Sequence, residues 1–258
     1  MENLTFELIL LCFAAFAAGF VDAIVGGGGL IQLPAGLVLL PQYPVATVIG
    51  TLKLPAFCGT AIAAFQYSKR VALDKPMLAV MMVIACIASF TGSYMLTQVS
   101  NSFMKPFLLG VLVIVAIYTY SNKKFGSHTA KGHSKKRQWV YALLISLVLG
   151  LYDGFIGPGA GSFLILAFIS MLGFDFLKAS AYAKFVNLAT NAGSIILFSS
   201  TGKMIFAIAI PMAVCNAIGG WLGAKLAILK GNQFIRIFFL IVVCITIVRF
   251  AYDVFFKS

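Results

Sequence analysis

Charged residues are scarce in this chain of 258 residues. Only 10% of the residues are Asp, Glu, Lys or Arg, just seven are acidic, and 61% are hydrophobic. The mean hydropathy of +1.02 is far above that of a soluble domain. This composition excludes a soluble catalytic domain and indicates an integral membrane protein that lies in a lipid bilayer.

Residues that hold metals or perform nucleophilic catalysis are also few. The only two histidines, His128 and His133, both lie in a polar linker. The five cysteines are scattered singly through apolar segments, at Cys12, Cys58, Cys86, Cys215 and Cys244. This spacing fits neither a metal site nor a disulfide framework, and no catalytic constellation lies at membrane depth. We therefore expect no enzyme, no metal and no cofactor.

Positive charge is in excess, with 19 Lys and Arg against seven acidic residues and a net charge of +12. In a soluble protein this excess would suggest nucleic acid, but here it follows membrane topology and predicts no nucleic-acid partner. The basic residues concentrate at 69–75, 123–137 and 225–236. The positive-inside rule predicts that these loops are cytoplasmic.

Apolar runs separated by polar positions predict an all-α, polytopic membrane protein with 8–10 transmembrane segments. The predicted segments are 4–25, 28–40, 45–67, 76–98, 103–120, 138–156, 159–173, 177–199, 204–228 and 233–256. They form two halves of five: a first membrane repeat at 1–120 and a second at 138–258, joined by a basic cytoplasmic linker at 121–137. The second segment of each half is too short for a span, which takes about 20 residues.

A ten-residue pattern, Gly-x-x-Asp-x-x-x-Gly-x-Gly, occurs at 19–28 and again at 150–159, an offset of 131. The same offset relates positions near the ends of both halves, while in the middle an offset of 134 pairs Lys53 with Asn187. Such an internal repeat is common in transporters.

Two topologies fit the repeat. If the broken first pair of segments enters and returns, the halves are inverted; if the pair crosses once, the halves are parallel. The two differ by one basic residue on each side of the membrane. We favour inverted repeats, with glycine-broken helices that meet at mid-membrane and an external acidic N-terminus, because this topology groups all three basic clusters.

The glycine breaks are candidate anion sites. Four consecutive glycines at 26–29 cost helix stability, and residues 157–161 make the same break with a proline. The helix that follows each break begins with unpaired N–H groups and a positive dipole end. We name Gly27, Gly28, Gly29, Gly159, Ala160 and Gly161 as candidate anion-binding residues. The alternative, close helix packing, requires glycines on one face rather than four in a row.

Asp22 and Asp153 are costly carboxylates in apolar segments. Each could carry a proton, or could cap the glycine turn by accepting hydrogen bonds from backbone N–H groups. Both roles stay open, and one residue can have both. A cation site is disfavoured because no further acidic residues accompany them.

Two lysines also lie inside apolar segments, Lys53 and Lys184. Lys184, Asn187 and Asn191 share one helix face, which should face the bundle interior or a cavity. This face could bind an anion, or the lysines could form ion pairs with Asp22 and Asp153. Both hold if the substrate competes for a lysine.

These motifs resemble the TauE/SafE family of sulfite and organosulfonate exporters over essentially the whole chain. The resemblance rests on the duplicated break, on Gly-Thr-Leu-Lys-Leu at 50–54 and on Lys-Phe-Val-Asn-Leu-Ala-Thr-Asn at 184–191. Leu52 stands where the family has asparagine. The resemblance implies a permease of the bacterial inner membrane, coupled to protons, for small and typically sulfur-containing anions.

We therefore expect a multi-pass secondary transporter of a small anion, such as sulfite or an organosulfonate, that uses alternating access around the two glycine breaks. Protons are the expected coupling ion. The alternative is an anion channel built from the same helix ends.

Overall fold

The computed structural model describes residues 2–104, 107, 108, 110 and 135–230, and every regular element in these residues is an α-helix. The principal helices are α1 (Glu2–Val25), α2 (Gly29–Leu39), α3 (Val45–Ser68), α4 (Lys75–Gln98), α5 (Lys135–Phe155), α6 (Ala160–Leu172), α7 (Phe176–Ser200) and α8 (Phe206–Lys230). Residues 101–104, 107, 108 and 110 are helical as well. Nearly all of the predicted segment at 103–120, most of the linker and the whole of the segment at 233–256 lie outside the described residues.

The prediction of an all-α polytopic membrane protein is confirmed. Five helices, α1, α3, α4, α5 and α8, are long and apolar enough to cross a membrane. By contrast, α2 and α6 have 11 and 13 residues. At 1.5 Å per residue they extend only ~16–20 Å, less than the ~30 Å hydrocarbon core. They can reach only part of the way across.

Helix α7 lies at the centre of the bundle, in contact with α3, α4, α5 and α6. Most of its 25 residues are buried, including the polar Lys184, Asn187 and Asn191. Its polar residues therefore lie among other helices, as expected for polar side chains in a membrane protein.

Two acidic residues define helix starts at one end of the bundle. The Asp74 side chain accepts a hydrogen bond from Met77 N (3.2 Å) at the start of α4, and the Asp175 side chain accepts one from Lys178 N (2.9 Å) at the start of α7. Aspartate is a preferred N-cap because it satisfies a backbone donor that has no partner within the helix. These two carboxylates are thus explained by local structure.

Each glycine break reverses the chain direction. Gly26 and Gly157 have positive φ angles of 76° and 90°, which L side chains rarely adopt. After the first turn, Gly28 lies against Ala18, since a Cβ at Gly28 would be 2.6 Å from the Ala18 carbonyl oxygen. The chain at Gly28 has therefore already turned back along α1. In the second break, the Tyr152 hydroxyl holds the turn by donating to the Pro158 carbonyl oxygen (2.7 Å).

Two hydrophobic clusters divide the bundle along its length. Cluster 1 contains Tyr67 near the end of α3, Met77 at the start of α4 and Phe176 at the start of α7. Cluster 2 contains Val45 at the start of α3 and Phe198 near the end of α7. Helices α3 and α7 therefore run in opposite directions between the two clusters.

The same relation holds for α1 and α5. In α1, Leu11 belongs to cluster 2 and Val25 to cluster 1, whereas in α5 Ala142 belongs to cluster 1 and the next residue after the helix, Ile156, to cluster 2. These directions agree with the inverted arrangement favoured from the sequence. The duplication itself stays a prediction.

The basic residues follow the same division. Those next to cluster 1 are Lys69, Arg70, Lys75, Lys135, Lys136, Arg137, Lys178, Lys225 and Lys230. Beyond cluster 2, the described residues include a single lysine, Lys203. The positive-inside rule therefore predicts that the cluster 1 end is cytoplasmic.

The fourth helix of each half packs on the other half. Helix α4 contacts α5 and α7, and α8 packs on α1, where Gly223 meets Phe20. Gly92 on α4 contacts Leu151 on α5 in the same way. Gly92 and Gly223 are 131 positions apart, and so are Phe20 and Leu151. The two sequence halves are therefore interlocked rather than separate bodies.

Candidate functional site

Two buried ion pairs link the halves at the glycine breaks. Lys53 Nζ lies 3.0 Å from Asp153 Oδ1 and donates a 2.7 Å hydrogen bond to the Asp153 carbonyl oxygen. Lys184 Nζ lies 2.8 Å from Asp22 Oδ2 and also donates to the Asp22 carbonyl oxygen. Each lysine thus binds both the carboxylate and the backbone of an aspartate in the other half. The ion-pair interpretation of these lysines is confirmed.

The pairs also define which lysines correspond. Asp22 and Asp153 are 131 positions apart, and so are Lys53 and Lys184. The ion pairs favour an offset of 131 at this point of the chain, where the sequence prediction was an offset of 134 that pairs Lys53 with Asn187, and the alignment of the halves stays a prediction. The packing environment makes Lys184 the counterpart of Lys53, although the neighbouring glycines align better at 134.

Two threonines complete the hydrogen bonding of the aspartates. Thr60 on α3 donates to Asp22 Oδ2 (3.4 Å), and Thr190 on α7 donates to Asp153 Oδ2. Helix α3 therefore donates to Asp153 through Lys53 and to Asp22 through Thr60, and α7 does the reverse. Buried ion pairs are tolerated when such additional hydrogen bonds satisfy the remaining polar groups. The four charges sum to zero.

The two aspartates differ in how they hold the turns. Asp22 Oδ1 accepts a long hydrogen bond of 3.4 Å from Gly28 N, the capping contact considered from the sequence. The Asp153 carboxylate instead bonds to Lys53 and Thr190. Capping is therefore found in the first break only.

The two glycine breaks meet, as expected for inverted repeats. Ser162 N donates to the Gly26 carbonyl oxygen (3.0 Å), and Ser162 Oγ donates to the Val25 carbonyl oxygen (2.9 Å). A Cβ added to Gly161 would lie 2.6 Å from the Gly26 carbonyl oxygen. Only a residue without a side chain allows this backbone contact.

The first turns of α2 and α6 begin at this contact. Among the described residues, the N–H groups of Gly29, Gly159 and Gly161 donate no hydrogen bond, as expected for a helix start. Ala160 N, by contrast, donates to the Gly157 carbonyl oxygen (3.1 Å). Free N–H groups at a helix N-terminus present partial positive charge.

A cavity of about 70 Å³ lies between the breaks and the ion pairs. One water needs about 10–15 Å³ by this measure, so the cavity has room for a small ion. Nine of the residues named from the sequence line it: Asp22, Gly28, Gly29, Lys53, Asp153, Gly159, Gly161, Asn187 and Asn191. The other three, Gly27, Ala160 and Lys184, do not. Lys184 is fully buried behind Asp22.

The ion pairs therefore have unequal access to the cavity. Lys53 and Asp153 both line it, with side chains that are 7% and 5% exposed. In the other pair Asp22 lines the cavity and is 17% exposed, whereas Lys184 is 0% exposed. An ion in the cavity would meet one lysine and two aspartates.

The asparagines of α7 form a local unit in the cavity wall. Asn191 Nδ2 donates to the carbonyl oxygen of Asn187 (2.9 Å) and to its Oδ1 (2.5 Å). These bonds fix the Asn187 carboxamide and leave its own Nδ2 without a partner among the described residues. The Asn187 amide can therefore donate into the cavity.

Two carboxamide residues of the cavity lining were not identified from the sequence, Gln32 on α2 and Asn216 on α8. Both are polar residues within apolar segments, and that signal could have identified them. They lie outside the repeat motif, because the positions at an offset of 131 are Phe163 and Ala85.

The chain is similar to known membrane transporters. The family model for sulfite exporter TauE/SafE matches residues 11–250. The chain is 32% identical over 254 residues to the probable membrane transporter protein ORF9 of a Sinorhizobium species, covering 98% of this chain and 96% of that protein. It is 34% identical over 251 residues to the probable membrane transporter protein YfcA of Escherichia coli K12, covering 95% and 89% of the two chains.

A third relative is a probable membrane transporter protein of Haemophilus influenzae, 32% identical over 245 residues, covering 95% of this chain and 94% of the relative. No solved structure matches the chain significantly. The family and these relatives are membrane transporters rather than enzymes. The chain belongs to the TauE/SafE sulfite exporter family of membrane transporters.

Proposed function

We propose that the chain is a proton-coupled secondary transporter of a small, sulfur-containing anion such as sulfite or an organosulfonate. The observation that carries the proposal is the electrically neutral pair of crossed ion pairs, Lys53 with Asp153 and Lys184 with Asp22, beside a small cavity at two helix N-termini. The matched family is named for sulfite export.

The anion would bind where donors converge. The free N–H groups of Gly29, Gly159 and Gly161 point from helix starts that line the cavity. Lys53 supports anion binding because its ammonium has three N–H donors and uses two on Asp153. An anion can take the third donor and compete with Asp153 for the others.

Protons would be coupled through the aspartates. Placing an anion beside a neutral, buried cluster leaves a net negative charge in a low-dielectric environment, which is costly. Protonation of Asp22 or Asp153 removes one negative charge and releases donors to the anion. Proton and anion therefore bind together, and we expect them to move in the same direction.

The shape of the cavity supports a carrier. Leu33, Ile49, Leu52 and Ile156 line the cavity and belong to cluster 2, while no lining residue belongs to cluster 1. The cavity thus lies on the side of the ion pairs away from the basic end. In this proposal the contact between Gly26 and Gly161 opens to give access from that basic end. A channel would instead need a continuous pore.

Flux in proteoliposomes tests the proposal. Purified protein is reconstituted with a pH-sensitive dye inside the vesicles, and sulfite is added with and without a proton gradient. We expect saturable sulfite flux that acidifies the vesicle interior as sulfite enters. The Lys203→Met variant serves as a control, because Lys203 lies outside the cavity. Flux that does not saturate, together with single-channel currents, would identify a channel instead.

A further inference from the structure

Two carboxamide side chains, Gln32 and Asn216, form a part of the cavity lining that we call the amide wall. Neither the ion pairs nor the internal repeat accounts for their presence there. Gln32 and Asn216 both line the cavity and are only 4% and 3% exposed. Asn216 Nδ2 donates to Gln32 Oε1 (3.0 Å), and Gln32 Nε2 donates to the Leu52 carbonyl oxygen (3.2 Å). The two amides thus form a chain that links α8, α2 and α3.

Each of the two amides has one N–H group that donates to no described residue. A carboxamide NH₂ has two N–H groups, and Gln32 and Asn216 each use one of them on another described residue. The second N–H of each belongs to a side chain that lines the cavity. These are neutral donors placed where an anion would lie.

Backbone packing fixes the position of Asn216. A Cβ at Gly59 would lie 1.9 Å from Asn216 Oδ1, and a Cβ at Gly19 would lie 2.2 Å from the Asn216 carbonyl oxygen. The glycine that opens the first motif thus makes room for Asn216. In the second half, Gly150 faces Ala85 instead. Only the glycines of the first half therefore clamp an amide, which comes from α8 of the second half, and a rigidly held donor binds with little loss of entropy.

We propose that Gln32 and Asn216 recognise the oxygen atoms of the transported anion through these N–H groups. This inference rests on the proposed function and adds to it the groups that bind the substrate's oxygen atoms, namely the neutral amides on α2 and α8. The ion pairs supply the compensating charge. The amide wall supplies the directional hydrogen bonds, which distinguish an oxyanion with several acceptor oxygens from a simple spherical ion.

The test measures binding of sulfite and methanesulfonate to the full chain in detergent, by isothermal calorimetry and by ligand-dependent thermal shift. Gln32→Met keeps the length of the side chain and removes its donors without adding charge. We expect it to weaken sulfite binding about tenfold to a hundredfold, the range for a hydrogen bond to a charged group. Gln66→Met is the matched control, since Gln66 also bridges to α8, through the Trp221 carbonyl oxygen (2.9 Å), but does not line the cavity.

A second pair of variants tests the same role if Gln32→Met does not fold. Asn216→Ser keeps one hydroxyl donor and Asn216→Ala keeps none. Both side chains are small enough for the space next to Gly19 and Gly59. Tighter sulfite binding by the serine variant supports recognition by the donor, and equal binding by the two overturns it.

The outcomes separate the two proposals. If the unaltered protein binds neither sulfite nor methanesulfonate, the proposed function is wrong and the amide role is wrong with it. If the unaltered protein binds sulfite and Gln32→Met binds it as tightly as Gln66→Met does, the proposed function stands and the amide role is wrong.

Discussion

Lys53 and Asp153 are 100 positions apart in the sequence, and the Lys53 ammonium lies 3.0 Å from the Asp153 carboxylate. The partners come from opposite halves, and the mirrored pair of Lys184 and Asp22 does the same in reverse. Each pair holds a helix of one half to a glycine break of the other. Under the proposed proton coupling, protonation of either aspartate would weaken this link between the halves.

Asp153→Asn should make stability depend on the anion. The change leaves Lys53 charged and without a carboxylate partner, and breaking a buried pair in this way costs about 3–5 kcal/mol. A bound anion replaces the missing charge, so sulfite should raise the melting temperature of the variant more than that of the unaltered protein. Thermal unfolding with and without sulfite measures the difference.

Asp175→Asn is the control for that experiment, because Asp175 caps α7 and does not line the cavity. Asparagine is as good an N-cap as aspartate, so its stability should change little. Equal sulfite-induced shifts in Asp153→Asn and in the unaltered protein would contradict the role of Asp153 as a competitor of the anion.

Lys53→Met and Lys184→Met should have different effects. Lys53 lines the cavity, so its loss should weaken sulfite binding at least about tenfold, as expected when a hydrogen bond to a charged group is removed. Lys184 is fully buried behind Asp22, so its loss should chiefly destabilise the fold. Dissociation constants and melting temperatures of the two variants provide the comparison. Similar weakening of sulfite binding in both variants would contradict the difference in cavity access between Lys53 and Lys184.

Gly161→Ala should disturb the contact between the breaks. The new methyl group would lie 2.6 Å from the Gly26 carbonyl oxygen, and such overpacking typically costs about 1–3 kcal/mol. Transport should fall because the contact between the two breaks is destabilised. Gly202→Ala is the control: its φ of 66° also strains an alanine, but nothing lies within 4 Å of the added Cβ. If both variants transport alike, the contact is not required for transport.

Cysteine labelling should reveal the orientation. In a background without native cysteines, Lys69→Cys should react with a membrane-impermeant maleimide only from the cytoplasmic side, and Lys203→Cys only from the opposite side. This follows from the basic residues that lie next to cluster 1. Labelling of both positions from the same side would contradict the helix directions described above.

The sequence alone determined the class of protein and most of its helix bounds. Hydropathy reports the surrounding solvent directly, so the apolar runs located the eight described helices to within a few residues. Glycine has a local conformational signature, and the positive φ angles at Gly26 and Gly157 confirm that the breaks are true turns. The ionisable residues at membrane depth were equally visible, because charge is rare in hydrocarbon.

Tertiary structure decided how these residues are combined. Nothing local in the sequence specifies that Lys184 pairs with Asp22, or that it is hidden while Lys53 faces the cavity, since burial depends on helices that are distant in the chain. Gln32 and Asn216 stand outside the repeat, and only the packing of α8 against Gly19 and Gly59 brings Asn216 to Gln32. The sequence thus determines the solvent, the helices and the breaks through local chemistry, while the crossed ion pairs and the amide wall arise from packing between segments that lie far apart along the chain.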